Sequence, residues 1–101
     1  MYKPLPDSVE VRKSTIHGYG LFAITPIKKG IDLGICHIYA PGFHHGHIRT
    51  PVGGFINHSE EPNCKKRVSP EESALTYYSL VTTKDIEKNE ELTLKYTLYN
   101  V

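Results

Sequence analysis

The chain has 101 residues, 39% of them hydrophobic, with 12 Lys and Arg against 11 Asp and Glu and a formal net charge of +1. That length makes one domain with a modest core, and the near balance of charge gives no electrostatic case for nucleic acid or an anionic membrane surface. No apolar run reaches the length of a spanning helix, and Met1-Tyr2-Lys3-Pro4 does not begin a signal peptide. The expected location is therefore the cytosol or nucleoplasm, where Cys36 and Cys64, the two cysteines of the chain, are expected to stay reduced.

In chain order, Val9-Glu10-Val11-Arg12-Lys13 alternates and reads as a strand. Ser14-Thr15-Ile16-His17-Gly18-Tyr19-Gly20-Leu21-Phe22-Ala23 follows, with a Gly-x-Gly between strand-like runs. Glycines there allow a positive φ or a close backbone approach, but the third glycine and the helix of a dinucleotide fingerprint are missing. Taken alone, this stretch is an ordinary turn. Thr25 to Leu33 then lies over Lys84 to Leu92 at a constant offset of 59, with Gly30 meeting Asn89. Gly and Asn are the residue types that tolerate a left-handed backbone, so two similar strand–turn–strand corners are expected.

Between Pro41 and Pro51 the chain is rich in Gly, Pro and His, and His44-His45-Gly46-His47 reads as a polar loop. Together with Cys36, His37, His58 and Cys64 these histidines hold enough donors for a metal. Yet neither C-x₂-C nor H-x₃₋₅-H spacing occurs, so no metal ligand is assigned. A nucleophilic pair of Cys64 and His58 is equally unsupported by spacing.

Gly53-Gly54-Phe55-Ile56-Asn57-His58-Ser59-Glu60-Glu61-Pro62-Asn63-Cys64 fits neither a helix nor a strand and concentrates polar side chains in one short run. Ser69-Pro70-Glu71-Glu72-Ser73 offers the one expected helical turn, with serine before proline as its start. Leu75 to Val81 alternates in part. Leu92 to Leu98 alternates cleanly, placing Leu92, Leu94, Tyr96 and Leu98 on one face. On that strand alone Tyr96 is a core tyrosine with a backbone hydrogen bond. Short strands punctuated by Gly and Pro make the domain mainly β.

Three of these stretches, in this order, closely resemble the SET-domain protein lysine methyltransferases. They are Ser-Thr-Ile-His-Gly-Tyr-Gly-Leu-Phe-Ala, Phe-Ile-Asn-His-Ser-x-x-Pro-Asn-Cys and Asn-Glu-Glu-Leu-Thr-Leu-Lys-Tyr, spread across nearly the whole chain from Val9 to Tyr99. The resemblance implies a β-clip of small curved sheets, residues 1–101 as a single minimal SET domain, and a pseudoknot where the Asn-His-Ser segment crosses the C-terminal strand. It implies S-adenosyl-L-methionine as cofactor and a protein lysine as substrate.

By position within the motifs, His17, Gly18, Tyr19, Gly20, Asn57 and His58 are implied to contact the cofactor, with Asn57 and His58 at its amino-acid and adenine ends. Tyr99 is implied to cover the adenine or the channel mouth, Tyr96 to be the catalytic tyrosine, and Ser59 and Asn63 to brace the crossing. Methyl transfer of this kind is an in-line displacement dominated by positioning. Its lysine must be neutral, which at pH 7 costs about 4.6 kcal/mol from a pKa near 10.4 and is eased in an apolar channel beside a cation. A general base is not obligatory.

The chain departs from the family in its short insert of about 37–52, and with no cysteine clusters on either side of the motifs the zinc modules of many members are not expected. It also ends five residues after Tyr96. A minimal domain of this kind is similar to small virus- or microbe-encoded members, and completion of the groove in a homodimer through His37 to His47 and the tail around Tyr99 is expected. The rival is a SET-like binding module without activity.

Overall fold

The computed structural model describes residues 4–42 and 46–96. It contains β1 (Val9–Lys13), β2 (Tyr19–Ala23), β3 (Asp32–Tyr39), β4 (His47–Arg49), α1 (Pro51–Phe55), β5 (Asn57–His58), β6 (Cys64–Val68), β7 (Tyr77–Thr82) and β8 (Glu91–Leu94). The strands form one curled sheet in the order β1-β2-β8-β6-β7-β3-β4, with β5 lying along β8. Neighbours pair antiparallel except at β8, where β5 and β6 both run parallel to it. The fold is mainly β, as the alternation implied.

The two expected corners are present and related almost bond for bond. Ile27 and Ile86 exchange backbone hydrogen bonds of 2.8 and 2.7 Å. Ala23 N–H donates to Glu90 O and Thr82 N–H donates to Ile31 O, both at 3.0 Å, while Asn89 N–H reaches Ala23 O at 2.7 Å and Gly30 N–H reaches Thr82 O at 2.8 Å. Each of these bonds recurs 59 residues away in the other corner. Gly30 and Asn89 turn both corners with φ of +84° and +72°, and Asn89 is the one non-glycine with positive φ among the described residues. The pairing follows the same symmetry, with Asp32 opposite Val81 and Glu91 opposite Phe22.

Side chains from both halves fill one core, with Leu21, Leu80, Ile86 and Leu92 fully buried between the corners. Each such side chain stabilises the fold by about 1.5–3 kcal/mol. β8 sits in the middle of the sheet and is covered on both faces. Leu92, Thr93 and Leu94 are all buried, so its alternation does not separate a wet face from a dry one.

Several expectations need correction. Ser69 to Ser73 forms no helix. Ser73 N–H meets Pro70 O in a single turn joining β6 to β7. The helix is instead Pro51–Phe55, which takes in the start of the polar stretch thought irregular. Thr50 caps it, its hydroxyl accepting from Gly53 N–H, and Pro51 sits where no intrahelical N–H is needed. Gly53 lies so close to the Cys36 carbonyl that a Cβ would overlap it, which brings one helical turn flat onto β3. Within the short insert β3 and β4 pair, His37 opposite Arg49, and His47, expected in a polar loop, opens β4. The last strand ends at Leu94, so Tyr96 is not on its apolar face, and Leu98 lies outside the described residues.

His37 faces inward, 1% exposed, with no hydrogen-bond partner for either ring nitrogen among the described residues. It therefore cannot supply a contact between two copies of the chain. His44 and His45 lie outside the described residues, and His47 packs its ring against Tyr39 and Tyr78.

Burial, then the charges of Lys66, Arg49 and His47, push the His37 pKa from the usual 6.5 down to about 4. The unfolded chain thus takes up a proton that the folded chain refuses. Stability is full above pH 6.5 and falls as pH drops towards 4, by about 3 kcal/mol in all, then levels. Urea unfolding across this range should show that fall in the wild type and its loss in His37→Leu. An unchanged pH slope in the variant would contradict the assignment.

Candidate functional site

The hairpin of β1 and β2 closes through a turn over 14–18, where Ser14 N–H donates to Gly18 O at 2.8 Å. The Ser14 hydroxyl accepts from Ile16 N–H at 2.9 Å, and Gly18 takes a φ of +45° with open space where a Cβ would stand. The turn therefore presents backbone, flanked by the exposed side chains of His17 and Tyr19.

Asn57 at the start of β5 ties this turn to the centre of the sheet. Its side-chain amide donates to His17 O at 3.0 Å, to Tyr19 O at 3.1 Å and to a Glu91 carboxylate oxygen at 2.9 Å. Glu91, the first residue of β8, also accepts from the Ser14 hydroxyl at 2.8 Å. Gly20 lies below this group, and a Cβ there would push the Glu91 carboxylate from its place. With both amide protons shared among three protein acceptors, Asn57 has just its carbonyl oxygen left to offer a ligand.

His58 and Tyr96 form the other side. β5 runs parallel to β8 with Asn57 opposite Thr93 and His58 opposite Leu94, and Ser59 N–H continues the pairing to Leu94 O at 3.2 Å. His58 Nδ1 accepts from Tyr96 N–H at 2.9 Å, leaving Nε2 towards Glu60, 3.3 Å away. His58 and then Lys95, whose Nζ is 3.4 Å from the same carboxylate, hold the Glu60 carboxyl below its usual range. The Tyr96 ring lies 5.3 Å from that of His58, and its hydroxyl donates to Ile56 O. Burial raises the phenol's pKa, with the Arg49 charge opposing, so Tyr96 is protonated at neutral pH.

Asn63 holds β8 from its other edge. Its side chain accepts from Thr93 N–H at 2.8 Å and donates to Glu91 O at 2.9 Å, doing what a neighbouring strand's backbone would do. Ser59 contributes its backbone to the pairing of β5 with β8, while its hydroxyl accepts from Glu61 N–H within the same turn.

The structure thus brings His17, Gly18, Tyr19, Gly20, Asn57, His58 and Tyr96 onto one region of the fold, while Tyr99 lies outside the described residues. Tyr96 departs from the core reading. It is 37% exposed, and its backbone hydrogen bond fixes the phenol at the surface of the site. Glu91 and Ser14 were not singled out by the sequence. Their signal was a carboxylate opening a buried strand, which pattern alone does not distinguish from a solvated charge. Both cysteines are buried, their thiols pushed up to about 11 for Cys36 and about 12 for Cys64, so neither is a ready nucleophile. Among the described residues no three His, Cys, Asp or Glu side chains gather as a metal site.

The SET domain family profile matches residues 34–97 of the chain. Among solved structures, a Plasmodium falciparum "putative histone methyltransferase" superposes with a TM-score of 0.74 at 18% identity, covering 92% of this chain and 96% of that one. Apo ctPRC2 carrying two substitutions in Ezh2 gives a TM-score of 0.70 at 19% identity, covering 92% of this chain and 15% of that one. At such identities the likeness is one of fold. No curated protein sequence matches.

Gly20 provides a test of the geometry. In Gly20→Ala the new methyl must displace the Glu91 carboxylate from Asn57 and Ser14, a change expected to cost about 1–3 kcal/mol. Thermal unfolding reads this, and a variant as stable as wild type would mean that the close approach is not real.

Proposed function

Because the chain belongs to the SET-domain family, we propose that it is an S-adenosyl-L-methionine-dependent protein lysine N-methyltransferase. The observation that carries the reading is the convergence of the 14–20 turn, Asn57 and Tyr96 around the parallel pairing of β5 with β8. The residues present fit that cofactor. Gly18 leaves open the space a side chain would fill, and the Asn57 amide keeps an acceptor free for an ammonium group. Gly18 to Gly20 would hold the cofactor through backbone, Asn57 its amino-acid end and His58 its adenine end. When bound, the cofactor supplies an electrophilic methyl on a sulfonium.

The tyrosine's part follows from where its proton goes. The Tyr96 hydroxyl spends its one hydrogen on Ile56 O, so its oxygen offers lone pairs outward. It accepts an N–H of the incoming lysine amine and thereby aims the nitrogen lone pair. Being held protonated, it is not a general base. The amine must arrive neutral, and the Arg49 charge near Tyr96 together with a bound sulfonium would disfavour its charged form. His58, with Nδ1 fixed on Tyr96 N–H, locks the backbone that carries this phenol. Rate enhancement then comes from orientation more than from proton transfer.

Two substitutions separate binding from alignment. Tyr96→Phe keeps the ring and loses the acceptor, so methyl transfer should fall by at least about 100-fold while cofactor affinity stays within a few-fold. Turnover at the wild-type rate would reject the catalytic role. Asn57→Ala, tested by calorimetric titration, should weaken cofactor binding by about 10- to 150-fold, the loss expected for a bond to a charged group. An unaltered dissociation constant in folded protein would reject that assignment.

A further inference from the structure

Glu91 touches elements from all three sequence motifs. Its carboxylate accepts from Ser14 in the first, accepts from Asn57 in the second and belongs to the strand of the third. It also occupies the space that Gly20 leaves by lacking a side chain. The corner related to this one by the 59-residue offset shows that the fold does not demand such a group. There the equivalent carboxylate, Asp32, turns outward to Gly34 N–H at 2.8 Å and to Arg67, and the equivalent of Gly20 is Ser79, which carries an ordinary side chain. Both corners nevertheless turn with the same backbone hydrogen bonds. The inward carboxylate, its glycine and its two donors are therefore extra to the corner.

We propose that Glu91 is a positioning residue for cofactor binding, holding the His17–Gly20 backbone and the Asn57 amide in the orientation the proposed methyl donor meets. This rests on the methyltransferase reading. The mechanism is donor direction. By drawing the Asn57 amide protons towards itself and towards His17 O and Tyr19 O, Glu91 leaves the amide oxygen as the one group able to face a ligand. Glutamine in its place keeps the shape but loses the charge. Its oxygen can face Asn57 when its amide donates to the Ser14 hydroxyl, so the contacts to Ser14 and Asn57 lose their charge assistance and the Ser14 hydroxyl must turn from donor to acceptor.

The test is calorimetric titration of S-adenosyl-L-methionine into wild type, Glu91→Gln and, as the symmetry-related control, Asp32→Asn, with melting curves taken without cofactor. Glu91→Gln is expected to raise the dissociation constant by about tenfold or more, while Asp32→Asn leaves it unchanged. Glu91→Gln keeps the shape of the side chain and should melt above Gly20→Ala, whereas a merely structural role for Glu91 would lower the melting temperature and leave the dissociation constant of the folded protein unchanged. Should Glu91→Gln melt too low to titrate, Ser14→Ala removes one donor and is expected to weaken binding about threefold. Equal binding by wild type and Glu91→Gln, or by wild type and Ser14→Ala in that event, overturns the inference alone. A folded wild type that takes up no cofactor overturns the proposed function and this inference with it.

Discussion

The arrangement around β8 is the constraint on which the rest depends. Four residues, Glu91–Leu94, are gripped by β2 and then β5 along one edge and by β6 and the Asn63 side chain along the other. A strand so short has few hydrogen bonds of its own to give, and it stays in place because its apolar side chains are buried on both faces. Its ladder runs parallel to β5, a pairing that a tight hairpin cannot make. Asn57, His58 and Tyr96 therefore meet through long-range topology, with Ile56 standing 40 positions from the tyrosine whose hydroxyl it accepts.

The chemistry of the site is organised by which hydrogen-bond capacities are already used. Asn57 has given away its donors, Tyr96 its proton and His58 the lone pair on Nδ1. Acceptors are what remain on Asn57 and Tyr96, pointing to ligands that bring N–H groups. That preference matches an ammonium on a cofactor and an amine on a substrate. It gives the proposed function a chemical basis beside the family relationship.

Much of this was legible in the sequence, for identifiable reasons. The paired corners could be read because Gly30 and Asn89 are the residue types a positive φ selects. The site segments could be read because Gly20, Asn57 and Tyr96 belong to motifs in a fixed order. Other features left little local trace. The single turn of α1 is too short to show periodicity and depends on a Thr50 cap and on Gly53 resting against Cys36 O. The end of β8 at Leu94 is set by His58 drawing Tyr96 N–H out of the ladder, although the alternation runs on to Leu98. Glu91 looked like one charge in an acidic run, and just the fold shows that it faces Gly20.

The central claim is that the 14–20 turn, β5 and the segment after β8 make one ligand site. Amide chemical shifts of isotope-labelled protein, followed while S-adenosyl-L-homocysteine is added, test it most directly. The account predicts saturable shifts at His17 to Gly20, at Asn57 and His58, and at Lys95 and Tyr96. Shifts confined to the opposite corner around Asp32 and Arg67, or none at all in folded protein, would contradict it.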